Sequence, residues 1–290
     1  MTQQAQQNYH QSLLEKKGLI LGILNVTPDS CSDGNPFLTS EQAVERGLEL
    51  LAEGADILDV GGESTRPGAV PTSPEEEMRR VIPVIKKLRE RTKIPISIDT
   101  SKAVVAQAAI EAGASIINDV TALSDPGMAE VAASTRAGLI LMHMQALPST
   151  MQISPSYPND DVVAAVTTFL TEAREKALRH GISKNAIILD PGIGFGKTAA
   201  HNFSLINAIP QLIKLGAPLL IGHSRKWFLN GVPGDYSAHA LQERLIPSIA
   251  VTSIARYHGA MLFRVHDPRP HREALKTTEK LLSCYDTVSK

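Results

Sequence analysis

The sequence has 290 residues, 43% of them apolar, which is enough for a full core in one large barrel or two ordinary domains. The 29 basic and 30 acidic residues nearly balance and aromatic residues make up only 4%, which argues against nucleic-acid binding. We find no apolar run long enough to span a bilayer, and residues 1–17 lack the apolar segment of a signal peptide. The two cysteines, Cys31 and Cys284, lie far apart in the sequence, which is typical of a protein without disulfides. We therefore expect a cytoplasmic protein that binds neither nucleic acid nor membrane.

Short apolar runs alternate with amphipathic segments along the chain. We predict strands over residues 19–24, 57–60, 94–98, 115–117, 139–142, 186–189, 218–221 and 261–263. Helices are expected to begin near Thr39 or Ser40 and at Ser73, and to cover 102–112, 126–137, 160–180, 202–209, 237–258 and 268–282. About eight strand–helix units without a linker predict an α/β fold, a single (β/α)8 TIM barrel over residues 18–290 after a polar lead-in at 1–17. The alternative is a doubly wound open sheet, but no G-x-G-x-x-G follows the first strand.

Polar residues stand where the predicted strands end, and in a barrel these ends meet at one mouth. They are Asn25, Thr65, Arg66, Asp99, Asn118, His143, Asp190, Ser224, Lys226, Arg264 and His266. Carboxylates can accept paired N–H groups, an amide can pair with an amide edge, and arginine can stack on a ring or hold phosphate. The set therefore suits a planar heterocycle rich in N–H groups together with an anion.

Some of these residues, and two others, also have a simpler interpretation. Asp99 could merely cap the next helix, because Ser101 and Lys102 open it. Asp190 precedes Pro-Gly where no helix starts at once, which favours function. We expect His143 to be packed or hydrogen-bonded, Met142 to line a core or pocket wall, and His201 to be solvated.

The motifs at these strand ends resemble those of the dihydropteroate synthases, folate-pathway enzymes of the pterin-binding barrel family. The resemblance is carried by GILNVTPDS at 22–30, GGESTRPGA at 61–69, SIDTSK at 97–102, IIND at 116–119, LMHMQ at 141–145, ILDPGIGFGK at 188–197, SRK at 224–226 and RVHD at 264–267. Each motif alone is modest evidence, but eight in order, each at a predicted strand end, are highly specific.

The resemblance implies a reaction: a 7,8-dihydropterin carrying a 6-hydroxymethyl diphosphate condenses with 4-aminobenzoate, with Mg²⁺ assisting. It implies Asp99, Lys226 and Arg264 as catalytic residues and Asn25 as a contact of the metal. The substrate-binding residues that it implies are Thr65, Arg66, Asp99, Asn118, Met142, Asp190, Phe195, Lys226, Arg264 and His266. Two loops, 27–38 and 64–73, are implied to close over the mouth, and a homodimer is implied through helices remote from it.

Three positions depart from the family's usual residues. Cys31 and Ile193 stand where phenylalanine is frequent, and Trp227 stands where a small hydroxyl residue is usual. In the family, positions 31 and 227 border the aminobenzoate. We therefore hypothesise a remodelled amine site that binds sulfonamide analogues more weakly. Two other functions stay open: methyl transfer from a methyl-tetrahydrofolate, and pterin binding without turnover.

Overall fold

The computed structural model describes residues 18–27, 39–64, 69–146, 148–229 and 237–288. Eight parallel strands run in the order β6-β5-β4-β3-β2-β1-β8-β7, and Leu189 of β6 bridges Leu219 beside β7, so the sheet closes on itself. The strands are β1 (Leu19–Asn25), β2 (Ile57–Gly61), β3 (Ile96–Asp99), β4 (Ile116–Asp119), β5 (Gly138–Met142), β6 (Ile187–Asp190), β7 (Leu220–Ile221) and β8 (Leu262–Val265). The predicted TIM barrel is confirmed, and the open-sheet alternative is wrong.

Helices follow the strands around the outside of this barrel. Within the described residues they are α1 (Ser40–Ala52), α2 (Pro74–Arg91), α3 (Ala103–Ala112), α4 (Met128–Thr135), α5 (Val162–Arg179), α6 (Ala199–Asn207), α7 (Ile209–Leu212), α8 (Ala238–Glu243), α9 (Leu245–Tyr257) and α10 (Pro268–Val288). The cap at Ser73 is confirmed, because its side chain accepts from the Glu76 N–H and Pro74 opens α2.

Two of the predicted helices are each two helices in the structure. The segment predicted over 237–258 breaks at Arg244, and the one predicted over 202–209 starts at Ala199 and ends before Ile209. Both second helices carry a proline in their first turn, Pro247 and Pro210. A proline has no N–H to donate and its ring clashes with the carbonyl four residues earlier, which favours a break in the helix before it, although α2 continues through Pro83.

Alternation along the strands separates two apolar layers. Leu19, Leu21, Ile57, Ile116, Ile140, Ile188, Leu220 and Leu262 form a cluster that we place inside the barrel, at its amino-terminal end. The intervening residues, such as Leu58, Val60 and Ile98, belong to the larger cluster between strands and helices. Polar side chains stand further along the inward-facing rows. The fold therefore closes one end of the barrel with apolar side chains and presents polar ones at the other.

None of the helices in the described ranges is long and apolar enough to cross a membrane. The predicted lead-in at 1–17 lies outside those ranges.

Candidate active site

One cavity lies at the carboxyl ends of the strands. It is lined by Ile23, Asp99, Asn118, Val120, Met142, Asp190, Phe195, Gly222, Lys226, Arg264 and His266. Eight of the substrate-site residues expected from sequence, drawn from five strands and three loops, are thus brought to one place: Asp99, Asn118, Met142, Asp190, Phe195, Lys226, Arg264 and His266. Thr65 and Arg66 lie outside the described residues, so their expected contribution stays a prediction.

Arg264 joins two carboxylates across the barrel. Its Nη2 donates to Oδ2 of Asp99 at 2.6 Å, and its Nε donates to Oδ2 of Asp59, also at 2.6 Å. Asn118 donates to the same Asp59 oxygen at 3.1 Å. Burial and salt-bridge geometry therefore fix the arginine side chain on two sides. Asp59 is fully buried and was not singled out from the sequence. The sequence pattern could have pointed to Asp59, because this charged residue lies on the inward-facing row of a buried strand together with Ile57 and Gly61.

Asp190 ends β6 and organises the glycine-containing turn that follows. Its Oδ1 accepts the N–H of Gly192 at 2.7 Å. Gly192 has φ of +66°, and a Cβ placed there would lie 1.8 Å from the carbonyl oxygen of His143. Only glycine fits this position, because both the left-handed conformation and the close backbone approach exclude a side chain.

Side chains hold four successive carbonyl groups of this turn. Lys226 donates to the carbonyl of Ile193, and Gln152 donates to that of Gly194 at 2.7 Å. The other two donors are Lys197, to Phe195 at 2.9 Å, and Tyr157, to Gly196 at 2.8 Å. Gln152 and Tyr157 lie in a segment that the sequence indicated only as a proline-containing loop. The turn is therefore fixed by contacts from three different parts of the chain.

Lys226 reaches the cavity from a turn whose backbone is held in an unusual conformation. The preceding residue, Arg225, has φ of +56°. Its Nε donates to Oδ2 of Asp267 at 2.8 Å, and its backbone N–H donates to Oγ of Ser248 at 2.9 Å. A left-handed non-glycine residue is uncommon and is retained where the surroundings fix it. The ammonium of Lys226 lies 4.3 Å from the centre of the Phe195 ring.

Burial shifts the ionisation of the cavity residues toward their neutral forms. It raises the pKa of the Asp99 carboxyl, which Arg264 opposes, and it raises the pKa of Asp190, which the Gly192 N–H opposes. Burial also lowers the pKa of Lys226 to about 7, although Asp190 favours the charged amine. The pKa of Arg264 is raised, because Asp59 and Asp99 outweigh its loss of hydration. Shifts of this kind are typical of functional sites.

Two of the simpler interpretations are wrong, and two are confirmed, one of them for Met142, which lines the cavity. Asp99 does not cap α3: the N–H of Ala103 at its start donates to Asp125 instead. His201 is buried rather than solvated, since it is packed edge-on against Tyr157 with 5.0 Å between ring centres. His143 is buried and lies 2.9 Å through Nδ1 from Nζ of Lys197, as expected for a packed, hydrogen-bonded histidine.

The three departures from the family pattern have different surroundings. Ile193 is fully buried in the outer core. Trp227 is partly buried and packs against the same core, and it is not among the residues that line the cavity. Its indole Nε1 is buried and has no hydrogen-bond partner within the described ranges. Cys31 lies outside those ranges, so the hypothesis of a remodelled amine site stays a prediction.

The arrangement of donors and acceptors suits a flat, polar heterocycle. Asp99 and Asp190 are acceptors for N–H groups, Asn118 offers both amide functions, and Lys226 can donate to a ring carbonyl. Arg264 supplies a delocalised cation that can lie on a ring or contact phosphate oxygens. His266 stands at the cavity edge, where its backbone N–H donates to Ser224 Oγ at 3.2 Å. The cavity thus offers hydrogen-bond partners to a planar ring and a cation to an anionic substituent on that ring.

Comparison with known proteins agrees with this geometry. A family model described as pterin binding enzyme matches residues 21–266. The dihydropteroate synthase of Escherichia coli K12 is 44% identical over 91% of this chain and 92% of its own length. The Yersinia pestis dihydropteroate synthase, solved with a sulfonamide drug complex, has a TM-score of 0.85 and 42% identity over 92% of this chain and 95% of that one. The Xanthomonas albilineans enzyme with 7,8-dihydropteroate has a TM-score of 0.80 and 43% identity over 92% and 94%.

Fold and cavity together define an α/β-barrel enzyme with a polar site at the carboxyl ends of its strands. The chain belongs to the pterin-binding enzymes and, among them, to the dihydropteroate synthase family, transferases of folate biosynthesis.

Proposed function

We propose that this chain joins (7,8-dihydropterin-6-yl)methyl diphosphate to 4-aminobenzoate, giving 7,8-dihydropteroate and pyrophosphate. The observation that carries the proposal is the convergence of Asp99, Asn118, Asp190, Lys226 and Arg264 on one cavity. A 7,8-dihydropteroate complex of a relative at 43% identity supports the same substrates here. The Yersinia pestis relative, which was solved with a sulfonamide drug complex, supports this site as the target of sulfonamide analogues.

The pterin is proposed to lie flat in the cavity, where Asp99 and Asp190 accept its N–H groups. Asn118 pairs with its amide edge and Lys226 donates to its ring carbonyl. Because both carboxylates are buried, these hydrogen bonds form in a medium that strengthens them. Arg264 lies against the ring, and its charge is directed toward the diphosphate.

Departure of the diphosphate is the difficult step, because negative charge grows on the leaving oxygen. Arg264 and His266, which line the same cavity, are placed to stabilise that charge. The carbon left behind is electron-poor and is stabilised by the electron-rich pterin that the two carboxylates hold. The amine of 4-aminobenzoate is neutral near pH 7, so its attack needs no strong general base. The loops at 27–38 and 64–73, whose closure over the mouth the family resemblance implies, lie largely outside the described residues, so their part in excluding water stays a prediction.

The donor set also fits Mg²⁺ when it is bound together with the substrate. Within the described ranges, no group of three His, Cys, Asp or Glu side chains could hold a metal ion alone. Asn25 ends β1 opposite Gly61, and its Oδ1 and the Asp99 carboxylate both lie within 4 Å of the Cβ position at Gly61. Mg²⁺ commonly keeps several waters and binds through one or two protein oxygens plus substrate phosphates. We propose Asn25 as the protein ligand of Mg²⁺, which, when bound there, would supply positive charge to offset that of the leaving diphosphate.

We further propose a cytoplasmic homodimer, supported by cysteine usage and by an exposed apolar face. Ile246, Ile254 and Tyr257 share one face of α9 and are 77%, 46% and 49% exposed. Leu281 of α10, the neighbouring helix, is 59% exposed. Faces of this kind indicate protein–protein contacts. Sedimentation of the wild type and of Ile246→Glu tests this, since the substitution should shift a dimer toward monomer.

A pyrophosphate-release assay tests the reaction and separates it from the two alternatives. We expect release from the pterin diphosphate that depends on 4-aminobenzoate and yields dihydropteroate. A methyl-tetrahydrofolate-dependent enzyme would show no release but would transfer a methyl group, and a non-catalytic pterin-binding protein would only bind. Asp190→Ala and Lys226→Ala should lose pterin binding, and near-normal turnover by either contradicts the assignment of the site.

A further inference from the structure

A carboxylate beneath the cavity holds two of the residues that line it. Asp59 stands in the middle of β2, faces the barrel interior and is fully buried. Its Oδ2 accepts from Nε of Arg264 at 2.6 Å and from Nδ2 of Asn118 at 3.1 Å. Asp59 itself does not line the cavity. It therefore contacts two proposed ligand-binding side chains from a position that a ligand in this cavity does not contact.

The two carboxylate partners of Arg264 are not equivalent. Asp99 bonds the outer Nη2 atom and lines the cavity, whereas Asp59 bonds the inner Nε atom. A ligand that donates N–H groups to Asp99 competes with Arg264 for its oxygens. The same ligand does not reach Asp59. Asp99 can thus exchange its contact with Arg264 for contacts with the ligand, while Asp59 keeps its contact with Arg264.

We propose that Asp59 is a positioning residue, which keeps Arg264 and Asn118 in place while Asp99 turns from Arg264 to the substrate. The inference rests on the proposed function of the cavity. A buried guanidinium needs a compensating charge, and removing the one partner of a buried pair leaves the other uncompensated. Without Asp59, Asp99 is the carboxylate that must compensate the charge of Arg264. Asp99 then stays bound to Arg264 and is less available to the ligand.

Barrel stability alone does not account for a carboxylate at this level. The apolar layer toward the other end of the barrel shows that aliphatic side chains pack well in its interior. Oδ1 of Asp59 and Oγ of Ser97, its register partner on β3, are both buried and without a hydrogen-bond partner in the described part of the chain. Buried ion pairs are often replaceable by apolar residues without loss of stability. We therefore attribute the carboxylate at position 59 to its contacts with Arg264 and Asn118.

The test compares Asp59→Asn with Asp119→Asn. Asp119 is an equally buried carboxylate, at the end of β4, but it accepts from Thr121 and Leu123 and has no contact with Arg264. In pyrophosphate release, we expect Asp59→Asn to raise the KM for the pterin diphosphate by about tenfold and to change the KM for 4-aminobenzoate by less than about twofold. Asp119→Asn should lower the melting temperature and leave both KM values near those of the wild type.

A second measurement needs no turnover. In ¹⁵N-arginine-labelled wild type, the Nε–H signal of Arg264, assigned with Arg264→Lys, should be downfield and slow to exchange. It should stay so when 6-hydroxymethyl-7,8-dihydropterin saturates the site, and it should be lost in Asp59→Asn. An unchanged pterin KM in Asp59→Asn, or loss of the wild-type signal on ligand binding, overturns the role of Asp59. Failure of the wild type to release pyrophosphate contradicts the proposed function instead, so the two failures are distinguishable.

Discussion

The ammonium of Lys226 lies 4.3 Å from the centre of the Phe195 ring and also donates to the carbonyl of Ile193. The lysine therefore rests on the turn that follows β6, beside the Asp190 carboxylate that ends that strand. The carbonyl of Ile193 and the Phe195 ring thus hold the ammonium of Lys226 at the cavity that it lines. The glycine-containing turn and Lys226 form one unit of the site.

Pterin binding should be strongest in a narrow pH range. Burial lowers the pKa of Lys226 to about 7 and raises the pKa of Asp99. Affinity should fall as the pH rises through the lysine pKa, because the amine loses its charge, and fall as the pH drops through the Asp99 pKa, because the carboxyl gains a proton. Calorimetric titration with 6-hydroxymethyl-7,8-dihydropterin, which carries no phosphate, measures both limbs.

Lys226→Arg should move the alkaline limb to higher pH and leave the acid limb in place, because arginine stays protonated. Lys176→Arg is the matched control, since Lys176 donates to the carbonyl of Leu123 and does not line the cavity. An alkaline limb that stays unmoved in Lys226→Arg contradicts the assignment of that limb.

Gly192→Ala should disrupt the site, and Gly181→Ala should not. Both glycines have positive φ, +66° and +81°, so both substitutions strain the backbone by about 1 kcal/mol. At Gly192 the new Cβ would lie 1.8 Å from the His143 carbonyl, whereas at Gly181 nothing lies within 4 Å. Urea denaturation and pterin titration of both variants measure the difference. Equal losses of stability would show that the contact with His143 is unimportant.

Tyr157→Phe tests the hydrogen bond by which Tyr157 holds the turn after β6. The tyrosine hydroxyl donates to the carbonyl of Gly196 at 2.8 Å in a buried position. Its removal leaves that carbonyl unsatisfied and should lower the free energy of unfolding by about 1–3 kcal/mol. Tyr257→Phe, at an exposed position on α9, should change it by less than about 0.5 kcal/mol. The two denaturation midpoints should therefore differ clearly, and a pair that coincides would mean that the hydroxyl contributes nothing.

The residue after Lys226 provides a test of the amine site. If Trp227 and Cys31 remodel that site, the double substitution Cys31→Phe and Trp227→Ser should lower the inhibition constants of sulfonamides. It should also lower the melting temperature, because Trp227 packs against the outer core and its truncation leaves a cavity. Trp227→Phe serves as the control that keeps most of the packing. Inhibition constants that do not change in the double variant count against remodelling.

The sequence predicted the barrel and most of the cavity because both follow from the placement of polar residues at strand ends. Asp99 and Asp190 each end a buried strand and Asn118 stands one residue before the end of β4, so their convergence follows from the parallel topology. Asp59 was missed because it stands inside a strand, where the type of residue does not reveal a partner 205 positions away. Gln152 and Tyr157 were missed because their partners are backbone carbonyls, and no residue type marks a carbonyl group.

The measurement that tests the account most directly is pyrophosphate release from the pterin diphosphate by the wild type and by Asp190→Asn, with and without 4-aminobenzoate. Asp190→Asn keeps the size of the side chain and removes the charge of an acceptor at the cavity. The account predicts amine-dependent release by the wild type and a loss of about tenfold or more in kcat/KM for the pterin diphosphate in the variant. Wild-type turnover that Asp190→Asn retains in full would contradict it.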